Sequence, residues 1–182
     1  MSRQDKKLNA LYRAAKEGAL ETVELLIKQG VKIEAHTKSQ SPLDIASETG
    51  HYFVVEILLK HAKAQGVMEV YNLHTALLSA VLGGHHNIVK LLLHEGVNLE
   101  HIPKGKFNVF HGAASKGDVF MLETLLNAPG GKKWIDAHYL EDGIEKSPLY
   151  VAAENEHSAA VELLLHYGAV AHQKKRSGIG SA

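Results

Sequence analysis

Histidine is the residue type in this chain whose number and spacing most directly suggest chemistry, because 13 of the 182 residues are histidines. Imidazole is a common zinc ligand. Four histidines that lie close together in the sequence are candidates for such a site: His85, His86, His94 and His101. The chain has no pair of histidines at i, i+4, the spacing that places two ligands on one helix face. We therefore expect no metal site.

Motifs for catalysis are absent from the sequence. It contains no G-x-S-x-G turn, no H-E-x-x-H pair and no G-x-x-x-x-G-K-[ST] phosphate loop. GIGSA at 178–182 resembles a phosphate-binding loop only in its glycines, since no predicted strand precedes it. Glu141 and Asp142 form a carboxylate pair, but they fall in a predicted loop without a basic partner. The sequence predicts a protein that is not an enzyme and binds no cofactor.

The composition is that of a globular protein in a reducing compartment. The chain is 45% hydrophobic and 22% charged with a formal net charge of +0, which argues against bulk attraction to nucleic acid or to a membrane. It has no cysteine, and no apolar run approaches the roughly 18 residues of a membrane span. We expect a cytoplasmic protein, or one acting in a host cytosol if it is a secreted effector.

One sequence motif recurs five times along the chain and indicates a repeat. The copies are NALYRAAKEGA at 9, SPLDIASETGH at 41, TALLSAVLGGH at 75, NVFHGAASKGD at 108 and SPLYVAAENEH at 147. They start at intervals of 32, 34, 33 and 39 residues. A period near 33 residues is typical of stacked repeat units, which bury their apolar faces against their neighbours.

Each copy has the residues that begin, pack and end a helix. The predicted N-caps are Asn9, Ser41, Thr75, Asn108 and Ser147, and Pro42 and Pro148 suit the first helical residue. The apolar stripe consists of Leu11, Leu43, Leu77, Phe110 and Leu149, followed three residues later by Ala14, Ala46, Ala80, Ala113 and Ala152. The residues that end the helix are Gly18, Gly50, Gly84 and Gly117, whereas the fifth copy has Glu156 and should have the most strained turn.

A second helix is predicted in each unit from TVELLI, VVEILL, IVKLLL, MLETLL and AVELLL. One charged residue recurs in it and should face solvent: Glu24, Glu56, Lys90, Glu123 or Glu162. Glycine-containing segments such as those at 30 and 96 are predicted to begin a β-hairpin that leads to the next cap. The predicted unit is therefore helix, helix, hairpin.

In period and in residue pattern these repeats resemble the ankyrin repeat family. The resemblance implies an all-α dominated repeat solenoid, with helix-helix-β-hairpin units stacked into a curved array. We expect one ankyrin-repeat domain over 1–172, with repeats at about 8–40, 41–74, 75–107, 108–146 and 147–172. Residues 173–182 form a polar tail that either starts a truncated sixth repeat, since Ser181 and Ala182 continue the period, or caps the stack.

The repeat also accounts for seven of the 13 histidines, one of which, His111 in the fourth copy, is the histidine of the family signature. His51, His85 and His157 share one repeat position after the first helix, and His61, His94 and His166 share another near the end of the second helix. A further group recurs on the predicted hairpins, where a ladder of imidazoles would gain charge near pH 6: His36, His101, His138 and His172. We expect structural roles for the first two groups, and the pH response of the hairpin group stays open.

Departures from the repeat are the places where a partner can be specified. The 39-residue interval holds insertions near 128–134 and 138–146, which either carry a longer binding hairpin with Tyr139, Leu140, Glu141 and Ile144 or are a tolerated surface insertion. GVMEVYNLH at 66–74 is apolar for an exposed tip, and Tyr71 is the best single contact candidate there. Trp134 is interpreted as packing beneath the inserted loop rather than as an interface anchor.

The resemblance implies a non-catalytic module that binds a partner protein through hairpin tips and the concave face of the first helices. Variable repeat positions give the predicted contacts: Lys38, Gln40, Glu48, Thr49, Tyr71, His74, Leu82, Lys104, Phe107, Ser115, Lys116, Tyr139, Leu140, Glu141, Glu154 and Asn155. The lysines favour an acidic segment on the partner. We expect no nucleic acid or membrane partner and a chain that is monomeric alone. The alternative is the substrate-recruiting arm of a larger enzyme or secreted bacterial effector.

Overall fold

The computed structural model describes residues 3–31, 40–66, 73–102 and 104–171, and of Arg3, Gln4 and His101 it describes the backbone alone. The described residues contain ten α-helices: α1 Arg3–Glu17, α2 Leu20–Lys28, α3 Pro42–Thr49, α4 Tyr52–Ala64, α5 Leu73–Gly83, α6 His86–His94, α7 Val109–Ser115, α8 Val119–Asn127, α9 Pro148–Glu154 and α10 Ser158–His166. Two short strands, β1 Tyr139–Glu141 and β2 Ile144–Lys146, pair antiparallel. The helical repeat predicted from the sequence is confirmed.

The helices belong to two compact units, 1–97 and 98–182. In the first unit, three helix pairs pack in sequence, with α3 lying between α1 and α5. In the second unit, α7 packs against α9 and α8 against α10. The single-domain boundaries drawn from the sequence stay a prediction.

The predicted apolar stripe forms the core of both units. Leu11, Leu43, Leu77 and Phe110 are at most 1% exposed, and Leu149 is 7% exposed. All five alanines of the stripe are buried as well, and within each unit consecutive first helices lie side by side. The charged position on the second helix is exposed at Lys90, Glu123 and Glu162 and half-buried at Glu24 and Glu56.

Three of the five predicted N-caps are confirmed. The side chains of Ser41, Asn108 and Ser147 accept hydrogen bonds from the first amides of α3, α7 and α9. The prediction is wrong for Asn9 and Thr75, because α1 begins at Arg3 and α5 at Leu73. No helix-breaking residue separates Asn9 from the helix-forming residues before it.

Thr75 links two repeats instead of starting a helix. Its hydroxyl donates to Oδ1 of the buried Asp44 at 2.7 Å, while Oδ2 of Asp44 accepts from the Ser41 amide at 2.9 Å. A carboxylate buried in this way requires hydrogen-bond donors. The side chain of Asp44 therefore joins the start of α3 to α5.

The first histidine group ties the second, third and fifth repeats to the repeats before them. The Nε2 atoms of His51, His85 and His157 donate to the carbonyl oxygens of Lys16, Glu48 and Ser115 at 3.0, 2.9 and 3.1 Å. These rings lie against the glycines that end the preceding first helices, at Gly18, Gly50 and Gly117, where an added Cβ would come within 2.4 to 2.6 Å of the imidazole. The structural interpretation of this histidine position is confirmed.

A residue in the left-handed backbone conformation ends the first helix of each repeat, as predicted. The four glycines have φ between 64° and 82°, and Glu156 adopts a φ of 61° in the fifth repeat. A residue with a Cβ pays a steric cost in that region, so the strained turn predicted at Glu156 is confirmed.

The hairpin prediction holds in one repeat and fails in another. Strands β1 and β2 form a hairpin whose two-residue turn places Asp142 and Gly143 at φ of 51° and 78°, the signs that a type I′ turn requires. In the third repeat Leu99–His101 is a 3-10 turn rather than a strand, because the Asn98 side chain caps it and Leu99 is fully buried. The other predicted hairpins lie mainly outside the described residues.

The insertion at 128–134 folds into a 3-10 turn, Gly131–Trp134, that buries its tryptophan. Trp134 is 5% exposed, which confirms that it packs beneath this loop. Trp134 lies in this turn, ahead of β1, and is not part of the hairpin.

We expect Gly131→Ala to destabilise the second unit. A Cβ at Gly131 would lie 1.9 Å from the carbonyl oxygen of Leu125, a backbone atom that cannot rotate away. The expected loss in the free energy of unfolding is about 1–3 kcal/mol, as for other overpacked sites. Urea denaturation followed by the fluorescence of the single tryptophan measures it. Lys132→Ala in the same turn is the control, and an equal loss in both variants would contradict the steric explanation.

Candidate partner-binding surface

The structure describes fourteen of the sixteen predicted contact residues. Tyr71 and Lys38 lie outside the described residues, as do the apolar neighbours of Tyr71 at 68 and 70. The first unit contains Gln40, Glu48, Thr49, His74 and Leu82. The second unit contains the other nine: Lys104, Phe107, Ser115, Lys116, Tyr139, Leu140, Glu141, Glu154 and Asn155.

In the first unit, two of the five candidate contacts, Gln40 and Glu48, form a small polar cluster with Tyr12. The Tyr12 hydroxyl lies 3.4 Å from Oε1 of Gln40, and Nε2 of Gln40 donates to the Glu48 carboxylate. The hydroxyl of Thr49 donates to the carbonyl oxygen of Ile45 within its own helix at 2.7 Å. Gln40, Glu48 and Thr49 are exposed, and Leu82 is 38% exposed.

In the second unit an aromatic cluster surrounds the signature histidine of the fourth repeat. The rings of Phe107 and His111 have centroids 5.6 Å apart, and the Tyr139 ring meets both edge-on at 5.3 and 4.9 Å. Edge-to-face contacts at these distances are favourable beyond simple burial. Phe107 and Tyr139, both predicted contacts, are only half-buried.

His111 attaches the hairpin to α7. Its Nε2 lies 3.0 and 3.2 Å from the carbonyl oxygens of Ala137 and Lys146, and since carbonyls only accept, Nε2 carries the proton. Nδ1 then accepts from the Asn108 amide at 3.2 Å. Burial first, and the nearby His138 as a smaller cause, lower the pKa of His111 to about 4 against the raising effect of the two carbonyls. The imidazole is therefore neutral at pH 7.

Lys146 attaches the other side of the hairpin to α9. Its Nζ lies 2.8 Å from a carboxylate oxygen of Glu154 and 2.9 Å from one of Glu141. These hydrogen bonds, that to Glu154 first, raise the pKa of Lys146. Burial, together with the Glu141 carboxylate, raises the pKa of Tyr139. The Lys146 side chain is 12% exposed, so it is a structural contact that the sequence interpretation missed.

The hairpin tip remains accessible although its base is attached on both sides. Leu140 is 53% exposed and Ile144 is 43% exposed. Lys116, Glu154 and Asn155, at the C-terminal ends of the neighbouring first helices, are exposed too. Ser115 is half-buried and uses its hydroxyl within α7, where it donates to the carbonyl oxygen of Gly112 at 2.9 Å.

The described residues contain neither a metal cluster nor a membrane-crossing helix. No group of three or more histidine or carboxylate side chains in these parts of the chain is placed to hold a metal ion. Within the same ranges, every helix is too short or too polar to span a bilayer.

The repeat geometry and the sequence together identify the family. The chain matches the ankyrin repeat model, described as three copies, over residues 1–68 and 77–176. The chain belongs to the ankyrin repeat family, whose members are generally protein-interaction modules. It is also similar to a probable E3 ubiquitin-protein ligase, XBOS32, of Oryza sativa subsp. japonica, with 26% identity over 187 residues. That match covers 87% of this chain and 38% of the relative, so the chain spans well under half of the relative's length.

Proposed function

We propose that this protein is a non-catalytic interaction module whose inserted hairpin and neighbouring first helices bind a partner protein. The observation that carries the proposal is the hairpin itself: an insertion whose base is fixed by His111 and Lys146 while its tip exposes Leu140 and Ile144. A fixed hairpin loses little conformational entropy on binding. This favours the interpretation that the insertion is a binding hairpin over the alternative that it is a tolerated surface insertion.

The finer features of the module are part of the same proposal. The chain acts as a monomer in a cytosol, that of a host if it is a secreted effector. An acidic segment of the partner meets the exposed lysines, among them Lys104 and Lys116. The hairpin and the concave face predicted for the first helices supply the roughly 800 Å² per partner of a standard interface.

The second candidate function is recruitment of substrates for a larger enzyme. It is favoured by the similarity to a probable E3 ubiquitin-protein ligase, of whose length this chain covers 38%. In this role the repeats select the partner and a different part of the polypeptide performs the chemistry. The intact mass of the native gene product distinguishes the two, since a mass near 19.8 kDa contradicts the larger enzyme.

Capture from a cytosolic lysate tests the interaction module. We expect Leu140→Ser with Ile144→Ser to reduce the captured partner at least tenfold, because the exposed aliphatic contacts of the hairpin are lost. Phe120→Ser is the matched control, since Phe120 is 75% exposed but lies on a second helix. Quantitative mass spectrometry compares the three samples. Equal capture by the hairpin variant and the wild type would exclude the hairpin as the binding site.

A further inference from the structure

Two neighbouring segments of the second unit carry opposite charge. Gly105 forms a parallel bridge with Tyr139, which places the loop at 104–106 directly beside β1. Lys104 and Lys106 flank this glycine and are exposed. The hairpin beside it carries Glu141, Asp142 and Glu145. We call these five charged residues, with Leu140 and Ile144, the charge-split surface.

The apolar part of the charge-split surface lies among the carboxylates. The strand register places Leu140 opposite Glu145 and Ile144 opposite Glu141. Opposite residues of an antiparallel pair share a face and successive residues alternate between faces, so Leu140 lies beside Glu145 on one face of the hairpin and Ile144 lies beside Glu141 on the other. On the lysine side, Phe107 is half-buried and its ring contacts Tyr139. An apolar group of the partner therefore contacts the hairpin within a negatively charged rim.

The ammonium of Lys146 does not cancel this negative charge. Glu141 and Glu154 share that single cation, and their side chains remain 51% and 43% exposed. Together with Asp142 and Glu145, these residues supply four carboxylates and Lys146 supplies one ammonium, so the hairpin and the end of α9 keep an excess of negative charge. The carboxylate oxygens retain capacity for further donors, which an arginine or lysine of a partner can supply.

We propose that the charge-split surface binds a protein segment in which an acidic stretch and a basic stretch flank aliphatic residues. The segment crosses the tip of the hairpin, so that its aliphatic residues contact Leu140 on one face and Ile144 on the other. The acidic stretch meets Lys104 and Lys106, and the basic stretch meets the hairpin carboxylates. The argument is charge complementarity between adjacent segments, which gives specificity and orientation to an interface. This inference rests on the proposed function and specifies the chemistry of the partner.

Synthetic peptides test the inference directly. The protein, with its leucine and isoleucine methyl groups labelled with ¹³C, is titrated with three 14-residue peptides that share a central Leu-Leu-Ala-Leu. One peptide has aspartates on one side and arginines on the other, one has aspartates on both sides, and one has arginines on both sides. A fourth peptide, which carries the two charged stretches of the mixed peptide in the opposite order, is titrated as well. We expect one of the two mixed peptides to bind at least about tenfold more tightly than either single-sign peptide and to shift the methyl signals of Leu140 and Ile144 most.

A charge-reversal variant makes the test specific. Lys104→Glu with Lys106→Glu should change the preference, so that the all-arginine peptide becomes the tightest ligand, by about tenfold. Lys132→Glu with Lys133→Glu changes the net charge equally on exposed residues of the same unit and should leave the preference unchanged. A single-sign peptide that equals both mixed ones on the wild type would overturn the inference. So would methyl signals of Leu140 and Ile144 that do not move.

The peptide experiment and the capture experiment separate the two proposals. If capture depends on Leu140 and Ile144 but the wild type does not prefer a mixed peptide, the hairpin binds a partner of different chemistry and the interaction module stands. If a mixed peptide is preferred but lysate capture is insensitive to the hairpin substitutions, the surface has the recognition chemistry proposed here and the hairpin is not the main site for the captured partner.

Discussion

Acidification from pH 7 to pH 4 is expected to destabilise the second unit by roughly 3 kcal/mol through His111 alone. The pKa of this imidazole is about 4 in the folded chain and 6.5 in its ordinary state. Between these values the unfolded chain binds a proton that the folded chain does not, so the free energy of unfolding falls as the pH falls. The stabilisation that the neutral imidazole provides is fully present above pH 6.5 and is lost as the pH falls through 4. The difference of 2.5 between the two pKa values corresponds to roughly 3 kcal/mol of unfolding free energy.

The variant His111→Gln isolates this contribution from the other histidines. Glutamine can still donate to a backbone carbonyl, but it does not titrate. Urea denaturation at several pH values between 4 and 7, followed by the fluorescence of Trp134, reports on the unit that contains His111. We expect the wild type to lose roughly 3 kcal/mol more than the variant over this range. If the free energy of unfolding changes with pH equally in the two proteins, the pKa of the His111 imidazole is not lowered by its burial.

Helix packing could be predicted from the sequence because its causes are local. Ser41 and Ser147 each precede a proline and cap the helix that follows, and the apolar residues after them recur at helical spacing. The same logic failed at Asn9 and Thr75. Asparagine and threonine cap a helix only where the preceding backbone leaves it, and there the chain stays helical.

The attachments of the hairpin could not be predicted, since they join residues far apart in the sequence. His111 reaches carbonyls that lie 26 and 35 residues away, and the acceptors are backbone atoms that no residue type signals. Lys146 was missed because an ion pair depends on the folded positions of β1 and α9. The exposed hairpin itself was predictable as a departure from the repeat period. The remaining contact candidates, including Tyr71 and Lys38, stay predictions.

Leu92→Ala is expected to cost the first unit about 2–5 kcal/mol of unfolding free energy, the range for a fully buried leucine. Leu92 lies on α6 and is completely inaccessible, and its truncation removes contacts on all sides and leaves a cavity. A stacked repeat buries its apolar face only against its neighbours, so a cavity in one helix pair weakens the packing of the pair beside it. Urea denaturation followed by far-ultraviolet circular dichroism measures the change.

The matched control for this cavity is Leu25→Ala in the same unit. Leu25 lies on the equivalent second helix of the first repeat and is 56% exposed, so truncating it removes side-chain area that is already largely in water. Its expected cost is within about 1 kcal/mol, because little buried apolar area is lost. A loss of similar size in the two variants would mean that burial between repeats does not determine stability. A large loss only at Leu92 would instead show that the fold depends on the stacking surface, which leaves the hairpins and loops free to vary for binding.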